Sequence, residues 1–166
     1  MNSHLDSETK VLESPQDHKD ELRLWLRLLT CTNLVEAAIR KRLGEEFDTT
    51  LPRFDLLAQL HRAPDGMTLG DLSRRMMVTN GNVTGLVERL VQSGHIKRFA
   101  LPKDRRVQIV KLTAKGQTYF SRMAGAHEAW IAELFAQLPP KEINELIRGL
   151  GKLKESVKSL NSAETP

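Results

Sequence analysis

The chain has 166 residues and a net charge of +4, with 40% hydrophobic and 28% charged residues, as in an ordinary globular protein with a single core. No apolar run approaches the roughly 20 residues that span a bilayer, and the polar N-terminus lacks the apolar stretch of a secretory signal. The single cysteine excludes an internal disulfide, so we expect a cytoplasmic protein that makes no membrane contact.

The basic residues are concentrated in one part of the chain. Residues 94–115 contain seven Lys or Arg and one Asp, a net charge of +6, which leaves −2 for the remainder. A basic segment on a slightly acidic body suits phosphate binding, but a solvated lysine-rich face explains the charge alone equally well. The charge alone therefore does not establish phosphate binding, and the neighbouring motifs have to decide between the two explanations.

The first third of the chain predicts an arm and two helices. Residues 1–18 are poor in apolar side chains and predict a flexible arm. A helix over 19–46 carries two apolar stripes, so it is buried on two sides or meets a second subunit. Residues 48–50, Asp-Thr-Thr, offer a cap for a short helix with Pro52 in its first turn, and residues 63–66 predict a turn.

Two short helices are predicted next. Thr68 and Asp71 have the spacing of a capping box, and the helix that they begin ends near Val78. A second helix begins at Thr79 or Asn80 after a turn of only a few residues. Its core positions recur at helical spacing and are Val83, Leu86, Val87, Leu90 and Val91. This arrangement predicts a helix-turn-helix over residues 68–93.

A β-hairpin is predicted after the second helix. Gly94 can adopt the left-handed conformation that ends a helix. Residues 95–101 and 105–112 are rich in Ile, Val and Phe, and Pro102 suits the turn between them. The hairpin is a basic wing over 95–112, although adjacent apolar residues at 109–110 leave its strand register open. The predicted DNA-binding lobe covers about residues 51–113.

The C-terminal third predicts two helices that take part in dimerisation. Thr113 can cap a helix over about 114–138, which Pro139 and Pro140 end. The last helix repeats apolar residues in alternating steps of three and four, an apolar seam that needs a partner helix within the subunit or in a second one. The helices 19–46 and 114–161 favour a dimer. The candidate interface residues are Leu24, Leu28, Ile143, Leu146, Leu150, Leu153 and Val157.

The second helix of a helix-turn-helix enters the major groove, with its first residues at the base edges. Its apolar face is used in the core, so its polar face is available to DNA, and Gly81 and Gly85 would let the backbone approach closely. Each polar residue is equally well explained as a solvated side chain. The candidate DNA-contacting residues of the two helices are Ser73, Arg75, Thr79, Asn80, Asn82, Thr84 and Arg89.

The wing supplies four further candidates for DNA binding. Arg105 or Arg106 can reach the minor groove, and Lys103 can bind phosphate. Asp104 would repel the duplex, so we expect it to brace the turn or to hold an arginine in position.

The wing sequence DRRVQIVKLT, residues 104–113, matches the D-x-R-x5-L-T motif of the multiple-antibiotic-resistance regulator (MarR) family. The block LGDLSRRMMVTNGNVTGLVERLVQSGHIKR resembles that family's helix-turn-helix, and the order of elements is similar over about residues 20–160. The resemblance implies a mainly α fold with a small β-wing, in a homodimer that represses transcription from an inverted repeat. It also implies that Arg106 enters the minor groove, that Asp104 supports it, and that residues 79–89 form the recognition helix.

Members of this family are commonly released from DNA by small aromatic or anionic ligands. A pocket for such a ligand needs apolar walls and a cation, although core packing or surface exposure explains most of the available residues equally well. The segment 22–43 is also similar to regulators of aromatic-acid breakdown, some of which sense CoA thioesters. The candidate effector-binding residues are Trp25, Leu29, Arg40, Arg53, Phe54, Leu57, His61, Phe120, Met123 and His127.

The sequence also bears on three alternative functions: catalysis, redox sensing, and contact with protein or RNA. The five histidines are scattered without metal-ligand spacing, and the sequence has no phosphate-binding glycine loop. We therefore do not expect an enzyme, a metal site or a bound cofactor. Arg27 lies one turn before Cys31 and could activate it as a redox sensor, but its apolar stripe favours a buried, unreactive thiol. A winged helix used for protein or RNA contact stays open, and salt-dependent binding to a palindromic duplex would distinguish it.

Overall fold

In the computed structural model, residues 20–101 and 104–163 are described, and the predicted arm over 1–18 lies outside them. The chain order begins with two helices, continues through the helix-turn-helix and the strands, and ends with two long helices. The elements are α1 (Asp20–Phe47), α2 (Leu51–His61), β1 (Met67–Thr68), α3 (Leu69–Met76), α4 (Asn80–Gln92), β2 (Ile96–Leu101), β3 (Asp104–Leu112), α5 (Ala114–Leu134) and α6 (Pro140–Ala163).

Each predicted helix is present, but two of them end earlier than predicted. Helix α3 ends at Met76 because Met77 turns into the left-handed region at φ +54°, and the N–H of Val78 then donates to the Ser73 carbonyl at 3.2 Å. Helix α5 ends at Leu134, four residues before its predicted end. The residues between it and Pro139 form turns, which the spacing of apolar residues did not distinguish from helix.

The sheet has three antiparallel strands in the order β1-β3-β2, one more than predicted. Strand β1 has only two residues, Met67 and Thr68, which pair with Val110 and Ile109. It is too short to show the alternation of apolar and polar residues that predicts a strand. A bulge interrupts the pairing of β2 and β3 between Ala100 and Leu101. Both residues of the adjacent apolar pair of β3 are paired with β1, and Val110 is buried whereas Ile109 is half-buried.

The chain forms two compact units, one up to His127 and one from Glu128. In the N-terminal unit, α2, α3, α4 and the sheet enclose a core whose fully buried side chains include Leu56, Leu57, Leu60, Leu72, Val83, Val87, Ile96, Val110 and Met123. The prediction that Val91 belongs to this core is wrong, because its side chain is 39% exposed. Four of the five predicted core positions of α4 are nevertheless buried or half-buried.

Helix α1 leaves much of its apolar surface uncovered by its own chain. Leu22, Leu24, Trp25, Leu29 and Leu34 are exposed, whereas Ile39 and Leu43 near its C-terminal end are buried. Cys31 is a free, exposed thiol, so the prediction of a buried thiol is wrong for the single chain. Full burial on α1 is therefore confined to the end nearest α2.

In the C-terminal unit, the chain turns at residues 135–139 and continues as α6. The turn is closed by hydrogen bonds from Leu138 N–H to the Phe135 carbonyl at 3.0 Å and from Ile143 N–H to the Pro139 carbonyl at 3.2 Å. Pro140 occupies the first position of α6, where its missing N–H is tolerated. None of the described helices combines the length and the apolar character that a membrane span requires.

Candidate nucleic-acid interface

The first helix of the helix-turn-helix is fixed at its start by the predicted cap. The Thr68 hydroxyl accepts a hydrogen bond from the Asp71 N–H at 3.0 Å and donates one to the Asp71 carboxylate at 2.8 Å. Arg74 also binds that carboxylate. The hydrogen bond from Thr68 and then the Arg74 guanidinium hold the pKa of Asp71 below its ordinary value. The carboxylate therefore stays ionised and fixes the start of α3.

Ser73 was predicted to contact DNA, and this prediction is wrong. Its side chain is only 9% exposed, and its hydroxyl donates to the Val78 carbonyl at 2.5 Å. That bond satisfies a carbonyl in the turn between the two helices, so Ser73 stabilises the turn. Arg75, two residues later on the same helix, is exposed and stays available to DNA.

The second helix, α4, presents a polar face on one side and a buried face on the other. The Thr79 hydroxyl caps it by accepting from the Asn82 N–H at 3.4 Å, while Val83 and Val87 are fully buried. Gly81 and Gly85 lie on the exposed side, and a β carbon at either position would meet, among the described residues, no atom within 4 Å outside its own stretch of helix backbone. The exposed face of α4 is therefore open along its backbone.

Most of the predicted DNA-contacting residues that the structure describes reach the surface. Thr79, Asn82 and Arg89 are exposed on α4, whereas Thr84 is half-buried. The remaining candidates, Lys103 and the side chains of Asn80, Asp104, Arg105 and Arg106, lie outside the described part of the chain.

The wing is joined to α4 and α5 by side chains that the sequence identified only in part. Thr113 was expected to cap α5, and its hydroxyl accepts from the Gly116 N–H at 3.0 Å. The same hydroxyl also lies 2.7 Å from the Gly94 carbonyl, and Lys115 donates to the Ser93 carbonyl at 2.7 Å. These contacts hold the end of α4, the start of β2 and the start of α5 together, so the wing has a fixed base.

Two basic residues of β2 were absent from the predicted site. Lys97 and Arg98 are exposed, and the register places them opposite Lys111 and Val110 of β3. Their position in the basic window was visible in the sequence, but a hairpin of uncertain register did not indicate which strand residues face outward. Exposed positive charge is therefore present along β2.

Four of the predicted effector-binding residues form an aromatic cluster, which consists of Phe54 and His61 of α2 and Phe120 and His127 of α5. The ring centroids of Phe54 lie 5.6 Å from Phe120 and 4.9 Å from His127, and those of His61 and Phe120 are 4.8 Å apart. The His61 ring nitrogen Nδ1 is 2.8 Å from the Gln117 amide nitrogen. The cluster combines apolar surface with two titratable rings.

The other predicted effector-binding residues do not join this cluster. Leu57 and Met123 are fully buried, which corrects their prediction as ligand-lining residues, because a ligand cannot reach them without opening the core. Arg40 is engaged by the Glu36 carboxylate at 2.8 Å. Arg53 lines a separate cleft together with Arg89. On α1, Trp25 is 56% and Leu29 is 38% exposed.

Asp55 lies close enough to His127 of the aromatic cluster to interact with it electrostatically, and the surroundings of Asp55 disfavour its charged form. Burial first, and then the nearby Glu36 carboxylate, raise the pKa of Asp55, while His127 partly opposes that rise. A carboxyl whose pKa is raised on folding gives stability below its ordinary pKa, and that stability is lost as the pH rises through the folded value.

Asp55→Asn is therefore expected to raise the free energy of unfolding at pH 7 by about 0.5 kcal/mol, because it removes a disfavoured charge that solvent partly screens. The gain should largely vanish at about pH 2.8, roughly one unit below the ordinary pKa of an aspartate, because Asp55 is then mostly protonated in both states. Urea unfolding at the two pH values measures the difference. A variant that is less stable than the parent at pH 7 would contradict the electrostatic explanation.

The predicted interface residues are partly or largely exposed in the single chain. On α6, Leu146 is 53%, Leu150 is 45% and Val157 is 48% exposed, and Ile143 and Leu153 are half-buried. On α1, Leu24 is 49% exposed and Leu28 is half-buried.

Comparisons with known proteins agree with this arrangement. The sequence model of the MarR family matches residues 49–107, which include the helix-turn-helix and most of the wing. The crystal structure of a MarR family transcriptional regulator from Silicibacter pomeroyi is 34% identical, covers 87% of this chain and 99% of its own, and superposes with a TM-score of 0.74. The transcriptional activatory protein BadR of Rhodopseudomonas palustris is 29% identical over 90% of this chain and 87% of its own length.

More distant structures share the fold. Sco3205 from Streptomyces coelicolor, a MarR family regulator solved in complex with DNA, is 21% identical, covers 87% of this chain and 92% of its own, and has a TM-score of 0.73. CouR from Rhodococcus jostii RHA1, solved with p-coumaroyl-CoA bound, is 19% identical, covers 78% of this chain and 90% of its own, and has a TM-score of 0.67.

The proteins matched in these comparisons are transcriptional regulators and not enzymes, as the sequence predicted. The family match covers the lobe that contains the exposed face of α4, and the likeness to the Silicibacter pomeroyi regulator extends over nearly all of that protein. This chain belongs to the MarR family of winged helix-turn-helix, DNA-binding transcriptional regulators.

Proposed function

We propose that the chain is a repressor that binds an inverted-repeat operator as a homodimer and is released by a small aromatic or anionic effector. The observation that carries the proposal is the open polar face of α4, where Thr79, Asn82 and Arg89 are exposed and two glycines leave the backbone accessible. Two such helices about one DNA turn apart, roughly 34 Å, would enter successive major grooves. Because it acts on chromosomal DNA, we expect the protein in the cytoplasm.

The homodimer is supported by apolar surface that the single chain leaves uncovered. A monomeric soluble protein rarely exposes apolar side chains in continuous groups. Helix α1 exposes several leucines and Trp25, and α6 exposes its seam at heptad spacing. A second copy of the chain is the partner that would bury both surfaces and set the spacing of the two recognition helices.

Arg106→Ala tests the role of the wing. We expect DNA affinity to fall about 10-fold to 100-fold, because the change removes a groove contact worth about 1–3 kcal/mol. The slope of log affinity against log salt should decrease by about 1. Fluorescence anisotropy with an operator duplex measures both quantities, and light scattering should show an unchanged dimer.

Arg122→Ala, which removes an exposed charge from α5, is the matched control for Arg106→Ala. Equal effects of the two variants would contradict the wing assignment.

Gly85→Ala should change protein stability and DNA affinity in opposite directions. The added methyl group meets no protein atom within 4 Å, so the helix should gain about 0.5–1 kcal/mol of stability. If the duplex lies against this face, DNA affinity should nevertheless fall at least about 10-fold, since the methyl group holds the two backbones apart. Gly44→Ala on α1 is the control for the stability gain alone. Higher stability with unchanged affinity would place the duplex away from Gly85.

The effector is proposed to bind at the aromatic cluster. The rings of Phe54 and Phe120 are buried, but the exposed His61 and the half-buried His127 lie against them, so a ligand would reach the cluster at these two imidazole rings. The aromatic ligand in the related CouR structure supports an aromatic acid or its CoA thioester as the effector class.

The effector proposal is tested by adding p-coumarate or p-coumaroyl-CoA to the complex of protein and operator. Release of DNA by either compound would support the proposal, with the relative potency identifying the acid or the thioester as the better effector. His127→Ala should raise the concentration of effector needed for half-release, with little change in DNA affinity. Release that is unaffected by this variant would exclude the cluster as the site.

An activator is the second candidate, because the related BadR is named a transcriptional activatory protein. A repressor and an activator differ in what happens when the gene is deleted. Transcription from the operator-controlled promoter should rise if the chain is a repressor and fall if it is an activator. Measuring that transcript in the deletion strain and the complemented strain decides between them.

A further inference from the structure

Met77 is an exposed apolar residue of the DNA-binding lobe. It is 93% exposed, whereas the next most exposed large apolar residues of the described chain, Leu34 and Leu160, are each 66% exposed. Those two residues lie on α1 and α6, but Met77 lies in the turn between α3 and α4. The proposed dimer through α1 and α6 therefore does not account for the exposure of Met77.

The backbone of Met77 adopts a conformation that favours glycine. Its φ of +54° and ψ of +38° lie in the left-handed region, which brings the β carbon of an L residue close to a carbonyl oxygen. Asp48, the other described residue that has a positive φ and is not glycine, is of a type that tolerates this region through local hydrogen bonds. Methionine has no such compensation. A residue held in a disfavoured conformation often marks a functional position.

Hydrogen bonds in the turn hold Met77 in place. The Met77 N–H donates to the Arg74 carbonyl at 3.4 Å, and the Val78 N–H donates to the Ser73 carbonyl at 3.2 Å. The Ser73 hydroxyl in turn donates to the Val78 carbonyl at 2.5 Å. The methionine side chain therefore projects from a closed turn whose backbone is fixed on both sides.

The turn adjoins the part of α4 that reads DNA. Thr79 caps α4 two residues after Met77, and two residues span at most about 7 Å. The first residues of the second helix of a helix-turn-helix lie at the base edges of the major groove. Met77 therefore extends the exposed polar face of α4 by an apolar side chain. The apolar group that base pairs present in the major groove is the 5-methyl group of thymine.

We propose that Met77 is a specificity-determining residue, whose side chain contacts the 5-methyl group of a thymine in each half-site of the operator. The inference rests on the proposed binding of an inverted repeat through α4, and it adds a contact that the sequence did not predict. The flexible thioether side chain of methionine adapts to apolar surfaces. Because the contact involves no charge, it contributes to sequence preference and not to the salt dependence of binding.

The first experiment compares the duplexes that the parent and Met77→Gly select from a random-sequence library. We expect the parent to select an inverted repeat with a thymine at one fixed position of each half-site. Met77→Gly should lose the preference at that position and keep the preferences elsewhere. Since glycine suits the left-handed conformation, the variant should not unfold at a lower urea concentration than the parent.

The second experiment replaces the selected thymine by deoxyuridine, which lacks only the methyl group. Affinity of the parent should fall about fourfold for each half-site changed, as expected for the burial of one methyl group. The affinity of Met77→Gly should be the same for the two duplexes. The slope of log affinity against log salt should also be the same for the parent and the variant.

Two further variants separate the side chain from the backbone. Met77→Asn tolerates the left-handed conformation but has a polar side chain, so its DNA selection should match that of Met77→Gly. Met77→Leu keeps an apolar side chain and should retain the thymine preference. A loss of preference that came only from a more flexible turn would instead leave Met77→Asn with the selection of the parent.

Peroxide oxidation detects the contact in the unmodified chain. Hydrogen peroxide transfers one oxygen atom to the sulfur of an accessible methionine, which gives a sulfoxide and water. Met67 and Met123 are buried and Met76 is half-buried, so Met77 should react fastest among the described methionines. Bound to the selected duplex, Met77 should be oxidised at least about fivefold more slowly, because contact with DNA removes the access that oxidation needs. Mass spectrometry of peptide fragments measures both rates.

Three results would overturn the proposal: a thymine preference that Met77→Gly retains, equal affinity of the parent for the thymine and deoxyuridine duplexes, or equal oxidation of Met77 with and without the duplex. Each would leave the proposed binding of an inverted repeat standing. If the parent selected no inverted repeat at all, the proposed function and this inference would both be overturned.

Discussion

Gly116→Ala is expected to lower the free energy of unfolding of the N-terminal unit by about 3 kcal/mol, the largest stability effect of a single added methyl group in this chain. A β carbon at this position would lie 1.8 Å from the His95 carbonyl oxygen and 2.8 Å from its carbon. Both are backbone atoms at the start of the wing, so no side-chain rotation relieves the overlap. Helix α5 or strand β2 would have to move.

That movement would break the base of the wing. The Thr113 hydroxyl lies 2.7 Å from the Gly94 carbonyl and the Thr113 N–H donates to the His95 carbonyl at 3.0 Å, so displacement of either partner costs both bonds. DNA affinity should fall together with stability, because the wing would lose its fixed position.

The matched control for Gly116→Ala is Gly125→Ala on the same helix. A β carbon at Gly125 meets nothing within 4 Å, so this variant should gain about 0.5–1 kcal/mol from better helix propensity. Urea unfolding of the two variants, monitored by circular dichroism, shows whether their changes in the free energy of unfolding have opposite signs. If both variants changed stability in the same direction, the close approach of α5 to His95 could not be the cause.

The starts of three helices followed from local chemistry and were therefore predictable. Thr68, Thr79 and Thr113 cap α3, α4 and α5 through hydrogen bonds to residues three positions ahead, which is information contained in a few adjacent residues. The wing also followed from its β-branched residues and its central proline. Local signals of this kind do not depend on distant parts of the chain.

Properties that depend on tertiary contacts were not predictable in the same way. Ser73 looked like an exposed polar residue, but its hydroxyl binds the Val78 carbonyl because the turn at Met77 brings that carbonyl within reach. Strand β1 exists only because β3 lies beside it. The effector-binding prediction grouped Arg53 with Phe54, whereas the helical rotation between neighbours places them at different sites.

Leu150→Glu is expected to convert the proposed dimer into monomers and to reduce operator affinity more than about 100-fold. The Leu150 side chain is 45% exposed on α6 and lies at the centre of a seam that also contains Leu146 and Val157. In a dimer this position would be buried, and an unpaired carboxylate there would cost several kcal/mol. Affinity would fall steeply, because a monomer can hold only one half-site and loses the gain from two linked lobes.

Asn144→Glu is the matched control, since it introduces the same charge at an exposed position of α6 that lies outside the seam. It should stay dimeric and bind DNA as the parent does. Light scattering across a range of protein concentrations gives the oligomeric state, and anisotropy with full and half operators gives the affinities. A Leu150→Glu variant that stays dimeric would place the interface elsewhere. A monomeric variant with parental affinity for the full operator would instead show that a single lobe suffices, because two linked half-sites are the only reason for the dimer to bind more tightly.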